Sequence, residues 1–188
     1  MNRPNEYLAN IDINPDQIEF NMTVRIPEIK TDYVWGALRI LLGWLFLWGF
    51  LDKTFGLGYA TTSSQAWING GSPTSYYLGK VSGGIFSGFY GSLSGNQVVD
   101  VIFMAALLLL GVALILGIGS RISAYGGGLL VLLLWSTQVP PTDNPFIDEH
   151  IIYLFLLFGL WRVKAGRTIG LGTWWSNTAI VKRFPWLE

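Results

Sequence analysis

The chain's single histidine, His150, stands directly after two carboxylates, Asp148 and Glu149, and directly before an apolar run in NPFIDEHIIYLFLLFGLW. Histidine is the one side-chain type whose ordinary pKa falls near physiological pH, so an imidazole beside carboxylates is the natural proton acceptor of such a chain. A simpler account of the carboxylates stands beside that one. Asp143 or Asn144, ahead of Pro145, can start a helix, with Asp148 and Glu149 favourably set against the positive end of its dipole. Asp52 and Lys53 close an earlier apolar run. If the two helix ends are neighbours, the carboxylates can pair with Lys53. Arg39 lies inside that earlier run, about six residues or about 9 Å from its start. An ionisable residue within an apolar helix is costly and raises a functional hypothesis. Arg39 either snorkels to the nearer surface or turns inward to meet a carboxylate, an anion or a quinone oxygen, which its planar fork suits.

Other chemistries have little to work with. Cysteine is absent, which removes disulfides, thiolate nucleophiles, iron–sulfur ligation and CxxC redox chemistry. One histidine beside two carboxylates lacks the spaced ligand pattern of zinc, di-iron or bis-histidine haem sites, so no intrinsic metal or haem is expected. Phosphate-loop, nucleophile-elbow and dinucleotide fingerprints, flavin motifs included, are also missing; the Gly126, Gly127, Gly128 run falls in an apolar segment, where small residues allow close helix packing. Lys and Arg total 12, as do Asp and Glu, so no net field argues for nucleic acid.

The elements that position these residues are membrane helices. Of the 188 residues 51% are hydrophobic and 13% charged, and mean hydropathy is +0.43, outside the usual balance of a soluble domain. A helix crossing a hydrocarbon core of about 30 Å needs about 20 apolar residues. Four segments meet that requirement, near Tyr33 to Leu51, Val98 to Ile118, Ile122 to Val139 and Phe146 to Val163. The predicted fold is therefore an all-α membrane protein, a four-transmembrane-helix bundle. If both termini share a side with the second-to-third turn, that side holds Arg3, Arg25, Lys30, Arg121, Arg162, Lys164, Arg167, Lys182 and Arg183, and the other only Lys53 and Lys80. The positive-inside rule then places both termini in the cytoplasm of a multi-pass cell-membrane protein. The long loop between the first two helices faces outward.

That outward loop is rich in Gly, Ser and aromatics, Trp67, Tyr76, Tyr77, Phe86, Phe89 and Tyr90 among them. Aromatic rings favour headgroup depth, so short interfacial helices are expected near Ser63 to Ile68 and Ser75 to Val81, over the outer mouth of the bundle. Residues 1 to 31 read as a polar cytoplasmic arm for interaction, with alternation at Glu19 to Ile26 suited to one added strand and no cleavable signal sequence. The membrane domain follows over 32 to 175, and 176 to 188 form a short basic and aromatic tail.

The order of motifs LRILLGWLFLWGFLDK, WINGGSPTSYYLGK, LILGIGSRISAYGGGLL and NPFIDEHIIY leading to AGRTIGLGTWW resembles the DoxX/DoxD family of small four-helix membrane proteins, over about residues 33 to 175. The resemblance implies the membrane subunit of an archaeal-type thiosulfate:quinone oxidoreductase, which couples two thiosulfates to one tetrathionate and passes the electrons to quinone. On that basis Arg39, Lys53 and His150 are the anion and proton partners. Asp52, Asp148, Glu149 and Arg121 are substrate- or quinone-binding, quinone is the acceptor, and a second small subunit or a larger membrane complex is the partner alongside membrane lipid. The alternative is a non-catalytic accessory subunit of a respiratory or other membrane complex. A solute or lipid channel is less favoured, since few polar residues lie within the spans.

Overall fold

A computed structural model of the chain describes residues 30–80, 84–141 and 144–188, side chains at 76, 79 and 80 excepted. The expected arm, with its strand at Glu19 to Ile26, lies outside the described residues up to its last two positions. Thr31–Glu188 forms one compact unit. Among the described residues it is all helical. The helices are α1 Thr31–Phe55, α2 Pro73–Lys80, α3 Ser87–Leu93, α4 Gln97–Leu116, α5 Ser120–Thr137, α6 Glu149–Arg162, α7 Gly172–Ser176 and α8 Ala179–Arg183, joined by short 3-10 turns. The first and longest, α1, and α4 are long and apolar enough to cross a membrane.

All four expected apolar segments are helical, with shifted ends. α1 runs past its expected end to Phe55, whereas α6 is shortened to 14 residues and starts at Glu149 because Asp148 is its N-cap. Its length is about 21 Å, shorter than the 18-residue run Phe146 to Val163 promised. The four pack mainly in two pairs, α1 on α4 and α5 on α6, with a lesser contact between α4 and α5. Glycines set the first pair: a Cβ on Gly43 would lie 2.9 Å from Leu114 and Ile115 atoms, and one on Gly111 would lie 2.7 Å from the Leu47 nitrogen. Each helix thus offers a gap where the other's backbone approaches. Gly127 of α5 makes room for side chains instead: a Cβ there would meet Leu110 of α4 at 2.8 Å and Leu157 of α6 at 3.1 Å. The core between them is Leu42 and Phe46 of α1, Met104, Leu107, Leu110 and Leu114 of α4, Val131 of α5, and Leu157 and Leu160 of α6.

The bundle has two unlike ends. At the cap end, the 56–96 connection crosses the helix termini, and its short elements, 3-10 turns at Ser63–Gln65 and Trp67–Asn69 and the helix α2, fall close to the expected positions. The Ile85 N–H donates to Val139 O at 2.9 Å, tying this cap to the end of α5. At the turn end, Gly117 and Gly119 link α4 to α5, and the segment after α6 folds back: the Leu171 N–H donates to Leu116 O at 2.8 Å.

Candidate functional site

Arg39 is 2% exposed, so it faces protein. Its guanidinium donates through Nη1 to the main-chain oxygens of Leu114 and Ile115, the latter at 3.0 Å, and through Nη2 to that of Ile169. The last carbonyls of a helix have no partner within it, and a cation there also complements the dipole. Arg39 therefore caps α4 and binds the segment after α6 to it. Gly117 makes room for this: it takes φ 76° as the C-cap, a left-handed conformation that suits glycine, and a Cβ there would sit 2.9 Å from Arg39 Nη1. The inward alternative is the one observed, with carbonyls as partners where a carboxylate was one expectation. Arg39 Nε, buried, has no hydrogen-bond partner among the described residues.

Two carboxylates are equally buried at the cap end. Asp52, 1% exposed, accepts from the N–H groups of Tyr59 at 3.3 Å and Ala60 at 3.1 Å. Asp100, 4% exposed, accepts on one oxygen from the Ser72 hydroxyl at 3.0 Å, the Thr74 N–H at 2.9 Å and the Thr74 hydroxyl at 2.6 Å. Each anchors a different stretch of the cap to the end of a long helix. Hydrogen bonds to an ionised group are about twice as strong as neutral ones, so the cap is tethered at two points.

The third cluster is less enclosed. Asp148 Oδ1 accepts from the His150 N–H at 3.0 Å and the Ile151 N–H at 3.4 Å, which is the N-cap of α6. Its other oxygen lies 2.8 Å from His150 Nδ1, with the side chains 12% and 11% exposed. An ionised carboxylate only accepts, so the ring donates from Nδ1, and a neutral imidazole is left with Nε2 as acceptor. The Tyr153 ring packs 6.4 Å from the imidazole and 6.5 Å from Phe46. Nearby, the Tyr77 hydroxyl accepts from Gln138 Nε2 at 2.8 Å and lies 3.3 Å from the Thr137 hydroxyl. Burial pushes the Tyr77 phenol up from its ordinary pKa, against the lowering effect of those two bonds and with the charges of Asp148 and Glu149 adding to the rise. Asp148, Glu149 and His150 also present one possible metal-ligand atom each within 4.8 Å of one another, although both Asp148 oxygens already have partners.

The predicted site residues are thus divided between the ends. His150, Asp148 and Glu149 form one cluster at the cap end, where Asp52 and Lys53 also lie at the end of α1. Capping and imidazole contact are both true of Asp148. Arg39 and Lys53 are 14 positions apart on one helix, about 21 Å, so Arg39 is not brought to His150. Arg121 too is at the turn end, its guanidinium 5.5 Å from the Trp161 ring centroid. Asp143 lies outside the described residues; the Asn144 side chain accepts from the Phe146 and Ile147 N–H groups at 3.0 and 3.1 Å.

Sequence reasoning passed over Asp100 and Tyr77. A signal existed for Asp100: it is the one charged residue of the second apolar run, and such a residue needs a partner. Tyr77 had no local signal, because its partners lie about 60 positions away on α5. Compared with known proteins, the chain matches no family model, no curated protein and no solved structure.

Proposed function

We propose that this chain is a DoxX/DoxD-like integral membrane subunit, with its four long helices crossing the bilayer and both termini cytoplasmic. All four carry large apolar side chains on their outer surface: Leu41 is 65% exposed, Leu109 68%, Leu129 61% and Phe155 73%. A belt of that kind is what a bundle presents to lipid, and a water-soluble domain rarely exposes so much apolar surface. The Lys/Arg asymmetry then sets the cap end outside.

Within that frame the chain serves a thiosulfate:quinone oxidoreductase-type complex, and the observation that carries the assignment is the His150–Asp148 pair. Two thiosulfates joining as tetrathionate release two electrons, and quinone with two electrons and two protons gives quinol. Asp148 holds the imidazole in one orientation with Nε2 placed to take or give a proton, and Lys53, Lys80 and, once it has taken a proton, His150 are the outer-side cations for a sulfur anion. For quinone the fit is mixed. An apolar groove of about 440 Å³ between α4 and α5, with Ser123 and Trp175 in its wall, suits a prenylated ring in size and polarity. Its lining runs from Ala106 to Ala113 and Ile118 to Leu130, toward the turn end, so quinone there would be remote from His150 and no direct transfer joins the two.

That separation, with Arg39, Asp52 and Asp100 all bonded to the chain's own backbone, favours a second reading: a non-catalytic accessory subunit that contributes a scaffold to a larger membrane complex. One preparation separates the two. The full-length protein purified in mild detergent is assayed for thiosulfate-dependent reduction of a short-chain quinone, and its co-purifying subunits are identified by mass spectrometry. Turnover that disappears in His150→Ala while the assembly persists supports the oxidoreductase. A stoichiometric large complex without turnover makes the chain an accessory subunit, and unchanged turnover in His150→Ala removes the imidazole from the mechanism.

A further inference from the structure

At the turn end a cavity of about 430 Å³ opens between α5 and α6, lined by Arg121, Trp161, Arg162, Lys164, Ser120 and Glu188 among others. We propose that this cavity binds a phosphate oxyanion, that of an acidic phospholipid headgroup. The guanidinium carbons of Arg121 and Arg162 lie 5.5 and 5.8 Å from the centroid of the same Trp161 ring. Two cations thus share one indole, with Lys164 on the same wall. Among the described residues none of the three has a carboxylate within ion-pair range; the Glu188 carboxylate is paired with Arg167. Like charges gathered in this way repel one another, and an oxyanion between them converts the repulsion into attraction. Arg forks match phosphate oxygens in pairs, while Lys supplies a point charge.

The backbone around the cavity is specialised as well. Lys164, at φ 53°, is the one non-glycine residue with positive φ among those described. Unusual backbone of this kind clusters at ligand sites and persists only where the surroundings hold it. The helix N-terminus is not the binding group here. The main-chain oxygen of Glu188 already takes the Arg121 N–H at 2.6 Å and the Ser120 hydroxyl at 3.2 Å, which leaves recognition to the side chains.

Ser120 begins α5 and Arg162 ends α6, so in a spanning bundle the cavity sits at headgroup depth, where basic pockets between helices take acidic lipids. The lipid as source rests on the membrane reading proposed above; the affinity for an oxyanion does not. The bland account of the same residues is diffuse positive charge, which orients a membrane protein without any site. It predicts that any two cations on this face are equivalent.

The test uses the full-length protein reconstituted into vesicles of equal parts phosphatidylcholine and phosphatidylglycerol, extracted, and examined by native mass spectrometry for retained lipid. In parallel, lipid-stripped protein is titrated with inorganic phosphate while its thermal midpoint is followed. Phosphatidylglycerol retained over phosphatidylcholine is expected. Retention should fall on the order of tenfold in Arg162→Gln/Lys164→Gln, the loss expected of a charge-assisted contact, and hold in Lys182→Gln/Arg183→Gln on α8. Arg121→Gln should weaken retention independently, should the double variant fail to fold. If inorganic phosphate raises the midpoint and displaces the lipid, the oxyanion site stands and its ligand is free phosphate. Equal retention in the cavity and control variants, or no preference for phosphatidylglycerol together with no phosphate shift, overturns the proposal. A protein that does not insert into the vesicles counts against the membrane reading alone, because the phosphate titration still reports on the cavity.

Discussion

At the turn end a buried cation, Arg39, faces main-chain carbonyls; at the cap end two buried anions, Asp52 and Asp100, face N–H and hydroxyl donors. The chemistry is mirrored because the orphan groups are. A helix that ends leaves carbonyls unpaired, while a loop crossing helix tips brings amides without partners. The lesson is that in this chain the most deeply buried charges complement backbone, and the side chains left for ligands are less enclosed ones at the rims: His150 and Asp148 at one end, Arg121 with the exposed Arg162 and Lys164 at the other.

If that contrast holds, the largest effect belongs to Arg39. Arg39→Met takes a charged donor from three carbonyls, leaving Leu114 O only the Gly117 N–H at 3.2 Å, and should cost roughly 3 kcal/mol or more, seen as a lowered thermal midpoint of the purified protein in detergent. Arg39→Lys should recover only part, since one ammonium cannot reproduce the fork. A midpoint unmoved by Arg39→Met would break the contrast at its root. At the opposite end Asp100→Ala should cost about 2 kcal/mol and expose the 70–75 stretch to limited proteolysis. Asp52→Ala, which loses two longer bonds to N–H groups, should do less of both; the reverse ranking would shift the main tether to α1. Asp148→Ala should cost about 1 kcal/mol for the lost N-cap. His150→Ala, which removes one hydrogen bond to Asp148 and the packing on Tyr153 but leaves the N-cap bonds in place, should cost no more than about 1 kcal/mol, separating the cap from the imidazole. The smallest effect is an alkaline one. The native Tyr77 pKa is raised above 10.0, so the folded protein keeps that proton to higher pH than the unfolded chain does. Its contribution is complete below pH 10.0 and is lost as pH rises through the native value. Tyr77→Phe should therefore flatten the fall of the thermal midpoint in alkali relative to the parent, and an identical pH profile would show that another group sets it.

Much of the helical plan was legible, since runs such as VVDVIFMAALLLLGVALIL admit little else. Two stretches of the cap, at the 3-10 turns and α2, were legible too, from aromatics spaced among Ser and Gly, while α3 at Ser87–Leu93 was not expected. The end of α6 was not: Phe146 and Ile147 look like helix by apolarity, but Asn144 turns them and Asp148 restarts the chain as a cap. The site was legible in part. His150 and Asp148 are neighbours in sequence, so their pairing is a local event. Arg39 and Asp100 bond to groups 75 and 26 positions away, and no local pattern shows which carbonyl or hydroxyl will arrive. Grouping Arg39 with Lys53 ignored the rise along one helix, which keeps them at opposite ends whatever the rest of the chain does.

The Arg39 contact with Ile169 spans 130 positions, and this has a consequence for biosynthesis. The first long helix leaves the ribosome carrying a cation whose last acceptor has yet to be translated. At about 5–20 residues per second, the wait is on the order of ten seconds. Throughout that interval the guanidinium must be hydrated, held by the insertion machinery or paired with a temporary acceptor. The segment after α6 that carries Ile169 therefore closes the nascent protein as a latch does, and a ribosome that stalls before Ile169 releases a chain whose first helix still carries an incompletely partnered charge.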